Sequence, residues 1–144
     1  MAIVDYFATG EHKRNLGHFA NLVEIAKIDD VITEGEEKLL KRTARRLNIT
    51  DDEYKAVIKN PKKYPINPPI GYDASIERLY RLTQMIYADD TPTLDEVNVM
   101  KKVATALSFP LDNVDKVCSE AVHLVMNNND LEDFITAIKK VNAI

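Results

Sequence analysis

Two short stretches of this chain place carboxylates where they could ligate a cation or cap a helix. The first is Asp29-Asp30-Val31-Ile32-Thr33-Glu34-Gly35-Glu36, and the second is Asp89-Asp90-Thr91-Pro92-Thr93-Leu94-Asp95-Glu96. In each, Thr-x-x-Glu (Thr33/Glu36 and Thr93/Glu96) is a capping-box pattern. The threonine hydroxyl accepts the amide three residues on, and the glutamate reaches back to the threonine amide. The Asp pairs need a further reason, because they fall at the C-terminal end of the preceding helical pattern, where the helix dipole disfavours carboxylates. Two explanations fit. An Asp side chain can accept the amides of the following turn. Alternatively, clustered carboxylates with loop carbonyls and water suit Ca2+, Mg2+ or Mn2+, which prefer oxygen ligands. The candidate cation set is then Asp29, Asp30, Glu36, Asp89, Asp90 and Glu96, with ligands drawn from both stretches or from loop carbonyls. The spacing is not that of an EF-hand, whose loop closes on a glutamate at its twelfth position.

Other reactive residues form no recognisable constellation. His12, His18 and His123 have no paired zinc-ligand spacing. Cys118 is the single cysteine, which excludes an intrachain disulfide. It stands five residues from His123, on a different face of one helix, so burial in a core is its expected role. Lys38, Lys41, Arg42, Arg45 and Arg46 give one helix a basic face. That face could meet phosphate or an acidic surface, but Glu34/Lys38 and Glu37/Lys41 pairs point to a solvated one. Tyr64, Tyr72, Tyr80 and Tyr87 surround a proline-rich connector, and Tyr80 and Tyr87 are expected to share a helical face and pack it. No phosphate-binding glycine loop, nucleophile elbow or RNA-recognition aromatic motif is present. An enzyme is not expected.

The elements that must position these residues are helical throughout. Apolar residues recur at helical spacing over 15–28, 34–47, 74–88 and 94–107, and further helices fit 51–59, 111–126 and 131–142. The expectation is an all-α fold of about seven helices. Residues 60–71, NPKKYPINPPIG, interrupt it with four prolines, each lacking an N–H donor. They read as a stiff connector between two helical halves, about 15–59 and 74–126, within one domain spanning 1–144. A shift of 60 residues aligns Leu22–Val57 with Leu82–Val117 without a gap, and 10 of those 36 positions are identical. A duplicated helical unit is expected.

With these residues in view, the chain resembles the TerB-like family, named for a tellurite-resistance protein. The matching stretches are LVEIAKIDDVITEGEEKLLKRTARRLNITDDEY and LTQMIYADDTPTLDEVNVMKKVATALSFPLDNV. Both follow a pattern of helix, acidic turn, Thr-x-x-Glu and helix; the first then closes on Leu47-Asn48-Ile49, the Leu-Asn/Gly-Ile of the family pattern, where the second has Leu107-Ser108-Phe109. The resemblance implies an internally two-fold, all-helical bundle without catalytic activity, acting in tellurite or chemical-stress responses. It also implies metal-binding acidic positions at Asp29, Glu36, Asp89 and Glu96. Asp30 and Asp90 stand where the family often has glycine, so they add charge and stiffen the turn.

Composition limits the alternatives. The chain has 144 residues, 45% hydrophobic and 29% charged, with a net charge of −4. That is a soluble globular balance, and the acidic excess disfavours nucleic acid or anionic lipid as the main partner. No apolar run is long enough for a membrane span, and the N-terminus lacks the basic start of a secretion signal. The expectation is a cytoplasmic, non-catalytic stress-response module that binds a protein partner, with a divalent cation in its acidic turns. A metal-free protein-interaction domain is the alternative.

Overall fold

A computed structural model describes residues 3–28, 32–64, 69–87 and 93–142. Seven α-helices and two 3-10 turns make up the described residues, with no strand among them. The chain divides into two compact units, Met1–Asn67 and Pro68–Ile144, and the boundary falls inside the proline-rich segment.

The first unit holds α1 (Ile3–Ala26), α2 (Glu34–Arg46), α3 (Asp51–Lys59) and a 3-10 turn at Pro61–Lys63. α1 packs on α2, on α3 and on the 3-10 turn. Phe19, Leu22 and Val23 of α1, Leu40 of α2 and Val57 of α3 are fully enclosed. Burying each such side chain contributes about 1.5–3 kcal/mol, which is what holds these short helices together. Lys27 Nζ donates to the Ile58 carbonyl at 3.1 Å, so a cation sits at the C-terminal end of α3, where the dipole favours it.

The second unit holds α4 (Tyr72–Ile86), α5 (Leu94–Ala106), a 3-10 turn at Leu111–Asn113, α6 (Val114–Met126) and α7 (Leu131–Asn142). α4 packs on α5, α6 and α7, and α6 packs on α5 and α7. Ile76, Leu79, Leu82, Ile86, Met100, Phe134 and Ile138 are buried at this junction. Gly71 caps the start of α4 with φ 92°, a conformation that favours glycine.

Two sequence expectations need correction. α1 begins at Ile3, well before the apolar stripe at residue 15, so helix extends through the polar run Glu11–Asn15. Tyr87 is not on α4. It is the C-cap, with extended backbone at φ −104° and ψ 101°, so Tyr80 and Tyr87 do not share a helical face. The tyrosine partners are also other than expected. Tyr80 meets Phe134 edge-on at 5.0 Å and donates its hydroxyl to the Asn129 carbonyl. Tyr72 contacts Phe109, and its oxygen accepts from Asn142. These rings tie α4 to α7 and to the turns flanking α6. Of the connector, residues 65–68 lie outside the described residues.

Candidate functional site

α2 and α5 are each 13 residues long, and they begin and end in the same way. Thr33 Oγ1 accepts the Glu36 N–H at 3.1 Å, and Glu36 Oε1 accepts the Thr33 N–H at 3.2 Å. Thr93 Oγ1 accepts the Glu96 N–H at 3.2 Å, and Glu96 Oε1 accepts the Thr93 N–H at 2.8 Å. Each reciprocal pair satisfies two amides that a helix start would leave without acceptors. Both glutamates are buried, Glu36 at 3% exposure and Glu96 at 1%. A buried carboxylate is costly unless hydrogen-bonded, and the cap supplies part of that requirement.

The C-terminal ends match as well. The Ile49 N–H donates to Ala44 O and the Asn48 N–H to Arg45 O, and sixty positions later Phe109 and Ser108 donate to Ala104 and Thr105. Asn48 has φ 58° and Ser108 φ 69°, which makes both ends Schellman motifs. The helix and both of its caps therefore recur at the shift that aligns the two sequences. α6 ends the same way at Asn128, with φ 58°.

A third capping box lies at Thr50 and Glu53, ahead of α3. Sequence reasoning passed over it, although Thr50-x-x-Glu53 is the same signal. This one is more exposed, with the Glu53 side chain at 31%, and its Oε2 accepts from His12 Nε2 of α1 at 2.7 Å. Burial pushes the Glu53 carboxyl up. Hydrogen bonds from the Thr50 backbone, His12 and the Thr50 hydroxyl outweigh this and hold it below its ordinary value.

Of the candidate cation ligands, Glu36 and Glu96 are in these caps. Asp29, Asp30, Asp89 and Asp90 lie outside the described residues. Among the described residues, no group of three or more His, Cys, Asp or Glu side chains is arranged to hold a metal ion.

Near the second cap, Tyr87 is buried, and its hydroxyl has no hydrogen-bond partner among the described residues. Burial raises its pKa, the Glu96 carboxylate raises it further, and so does Cys118 once its thiol ionises. Cys118 is itself buried. Loss of solvent, then the Asp115 carboxylate, push its thiol up to about 11, against the opposing pull of Lys101. A thiol held protonated in this way is a poor nucleophile. His123 points outward on the same helix, so the two do not form a dyad. No helix among the described residues is long and apolar enough to cross a membrane. No protein-family profile, curated protein or solved structure matches this chain.

Proposed function

We propose that this chain is a non-catalytic, cytoplasmic binding module of the TerB-like type, built from a duplicated helical unit. The observation that carries this reading is the recurrence of one device in both units. A 13-residue helix opens with a Thr-x-x-Glu box whose glutamate is buried and closes with a Schellman turn, at the shift found in the sequence. The link to tellurite or chemical stress comes from the resemblance of the two motifs. Among the described residues, the Glu36 and Glu96 carboxylates are engaged in caps, and the Cys118 thiol is a buried protonated group. Survival on tellurite of a sensitive bacterial host expressing the protein tests the stress role. Unchanged survival would refute it.

Within this reading, the acidic turns Asp29-Asp30 and Asp89-Asp90 hold a divalent cation (Ca2+, Mg2+ or Mn2+), with Glu36 and Glu96 beside them. Thermal unfolding in EDTA and then in millimolar Ca2+, Mg2+ or Mn2+ is the test. A cation that binds only the folded state raises the midpoint by mass action. The rise must vanish in Asp29→Asn/Asp89→Asn. No rise with any ion would refute the cation. It would leave the second reading, a metal-free protein-interaction domain. The caps favour that second reading, because they engage Glu36 and Glu96 without an ion.

A further inference from the structure

The two units differ in net charge. The first unit carries 12 Lys and Arg against 11 Asp and Glu, a net of +1, while the second carries 7 against 12, a net of −5. Four of the first unit's twelve cations line a groove of about 560 Å3 between α2 and α3. Lys41 and Arg45, one turn apart on α2, face Lys55 and Lys59, one turn apart on α3. Ile49 and Ile58 line the space between them. The α2–α3 turn is held at both ends, by the Schellman bonds at Asn48 and Ile49 and by the Thr50 capping box, so the groove is preformed.

The second unit shows what this surface looks like when its charges are matched. There, Lys101 of α5 bridges Asp115 of α6 at 3.4 Å. The positions sixty residues earlier are Lys41 and Lys55, two cations. Glu37 holds Lys41 at 3.3 Å, and Asp51 also borders the groove. Arg45, Lys55 and Lys59 form no ion pair among the described residues. Facing like charges repel unless an anion lies between them. A lone phosphate would leave the half-buried Ile58 uncovered, whereas a peptide covers it and the charged rim together.

We propose that the groove between α2 and α3 docks an acidic segment of a partner protein, its carboxylates meeting Lys41, Arg45, Lys55 and Lys59 and an apolar side chain seated on the half-buried Ile58. This does not depend on the cation reading, since none of these residues belongs to the acidic turns.

The test is selection of the full chain against a random dodecapeptide library displayed on phage, followed by fluorescence anisotropy of the most enriched peptide. The enriched sequences should carry Asp or Glu flanking an apolar residue. Binding should weaken about tenfold or more in Arg45→Glu/Lys55→Glu. It should also weaken when salt is raised to about 1 M, where the screening length is about 3 Å. It should stay unchanged in Lys116→Glu, an exposed reversal in the second unit. Circular dichroism of each variant must match wild type, and Arg45→Gln/Lys55→Gln serves if the reversal does not fold. Enrichment of peptides without acidic residues would overturn the proposal, as would equal losses in Lys116→Glu or full binding in the groove variants. Displacement of the peptide by millimolar inorganic phosphate at constant ionic strength would assign the groove to phosphate instead. Self-association in sedimentation, lost in the groove variants, would assign it to a second copy of the chain and also overturn the proposal.

Discussion

Replacing the buried cap glutamate, Glu96→Ala, should destabilise the second unit by about 2–3 kcal/mol. The Thr93 N–H loses a 2.8 Å bond to a charged acceptor, and such bonds contribute about 1.5–3 kcal/mol. At 1% exposure, water does not readily replace the carboxylate, and the lost methylene adds about 0.8 kcal/mol. Relief of carboxylate desolvation offsets part of this sum. Glu53→Ala in the first unit removes the same motif partner, but from a side chain 31% exposed, where water can satisfy the Thr50 amide. Its expected cost is about 1 kcal/mol, the usual value for a lost cap, with the half-exposed His12 contact adding only about a few tenths. With a urea slope of about 2 kcal/mol/M, the midpoints fall by about 1–1.5 M for Glu96→Ala and about 0.5 M for Glu53→Ala. Glu96→Gln keeps an oxygen acceptor and should fall between wild type and Glu96→Ala. Urea unfolding followed by circular dichroism gives the midpoints, and hydrogen exchange assigns each loss to its own unit. Equal losses for Glu96→Ala and Glu53→Ala would refute the argument that burial, rather than the motif alone, sets the contribution of the cap.

Three further outcomes follow from particular residues. Ser108 occupies the left-handed region at φ 69°, where a side chain other than Asn is disfavoured by roughly 1–2 kcal/mol. Ser108→Gly should therefore raise stability by about 0.5–1 kcal/mol, read as a higher urea midpoint, while Asn48→Gly should change it by less. Because the fold raises the Cys118 thiol from 9.0 to about 11, its contribution is complete below pH 9 and is lost as pH rises towards 11. Disulfide-exchange labelling at pH 8 should accordingly be slow in native protein and fast in urea. Glu53 titrates below its ordinary 4.5 in the fold, so its contribution is complete above that value and is lost as pH falls through the lowered one. A Glu53→Gln variant should show a shallower acid limb in thermal midpoint against pH, and an unchanged limb would sink the His12–Glu53 assignment.

The starts of α2 and α5 were legible in the chain because a capping box is local: a threonine, a glutamate and two amides within four residues. The all-helical class was legible for the same reason, since apolar spacing reports one helix's own face. Helix ends were less so. Tyr87 continues an apolar pattern yet leaves the helix, and α6 starts only after the 3-10 turn at Leu111–Asn113, because packing against neighbouring helices overrides local preference. The burial of Glu36 and Glu96 was not visible at all, as the Glu53 box has the same pattern and remains partly in water. The pairing of Lys41 and Arg45 with Lys55 and Lys59 across one groove was equally hidden. Lys41 and Arg45 read alone as part of a solvated helix face, and only the angle between α2 and α3, set by their packing on α1 and the turn that joins them, brings them opposite Lys55 and Lys59.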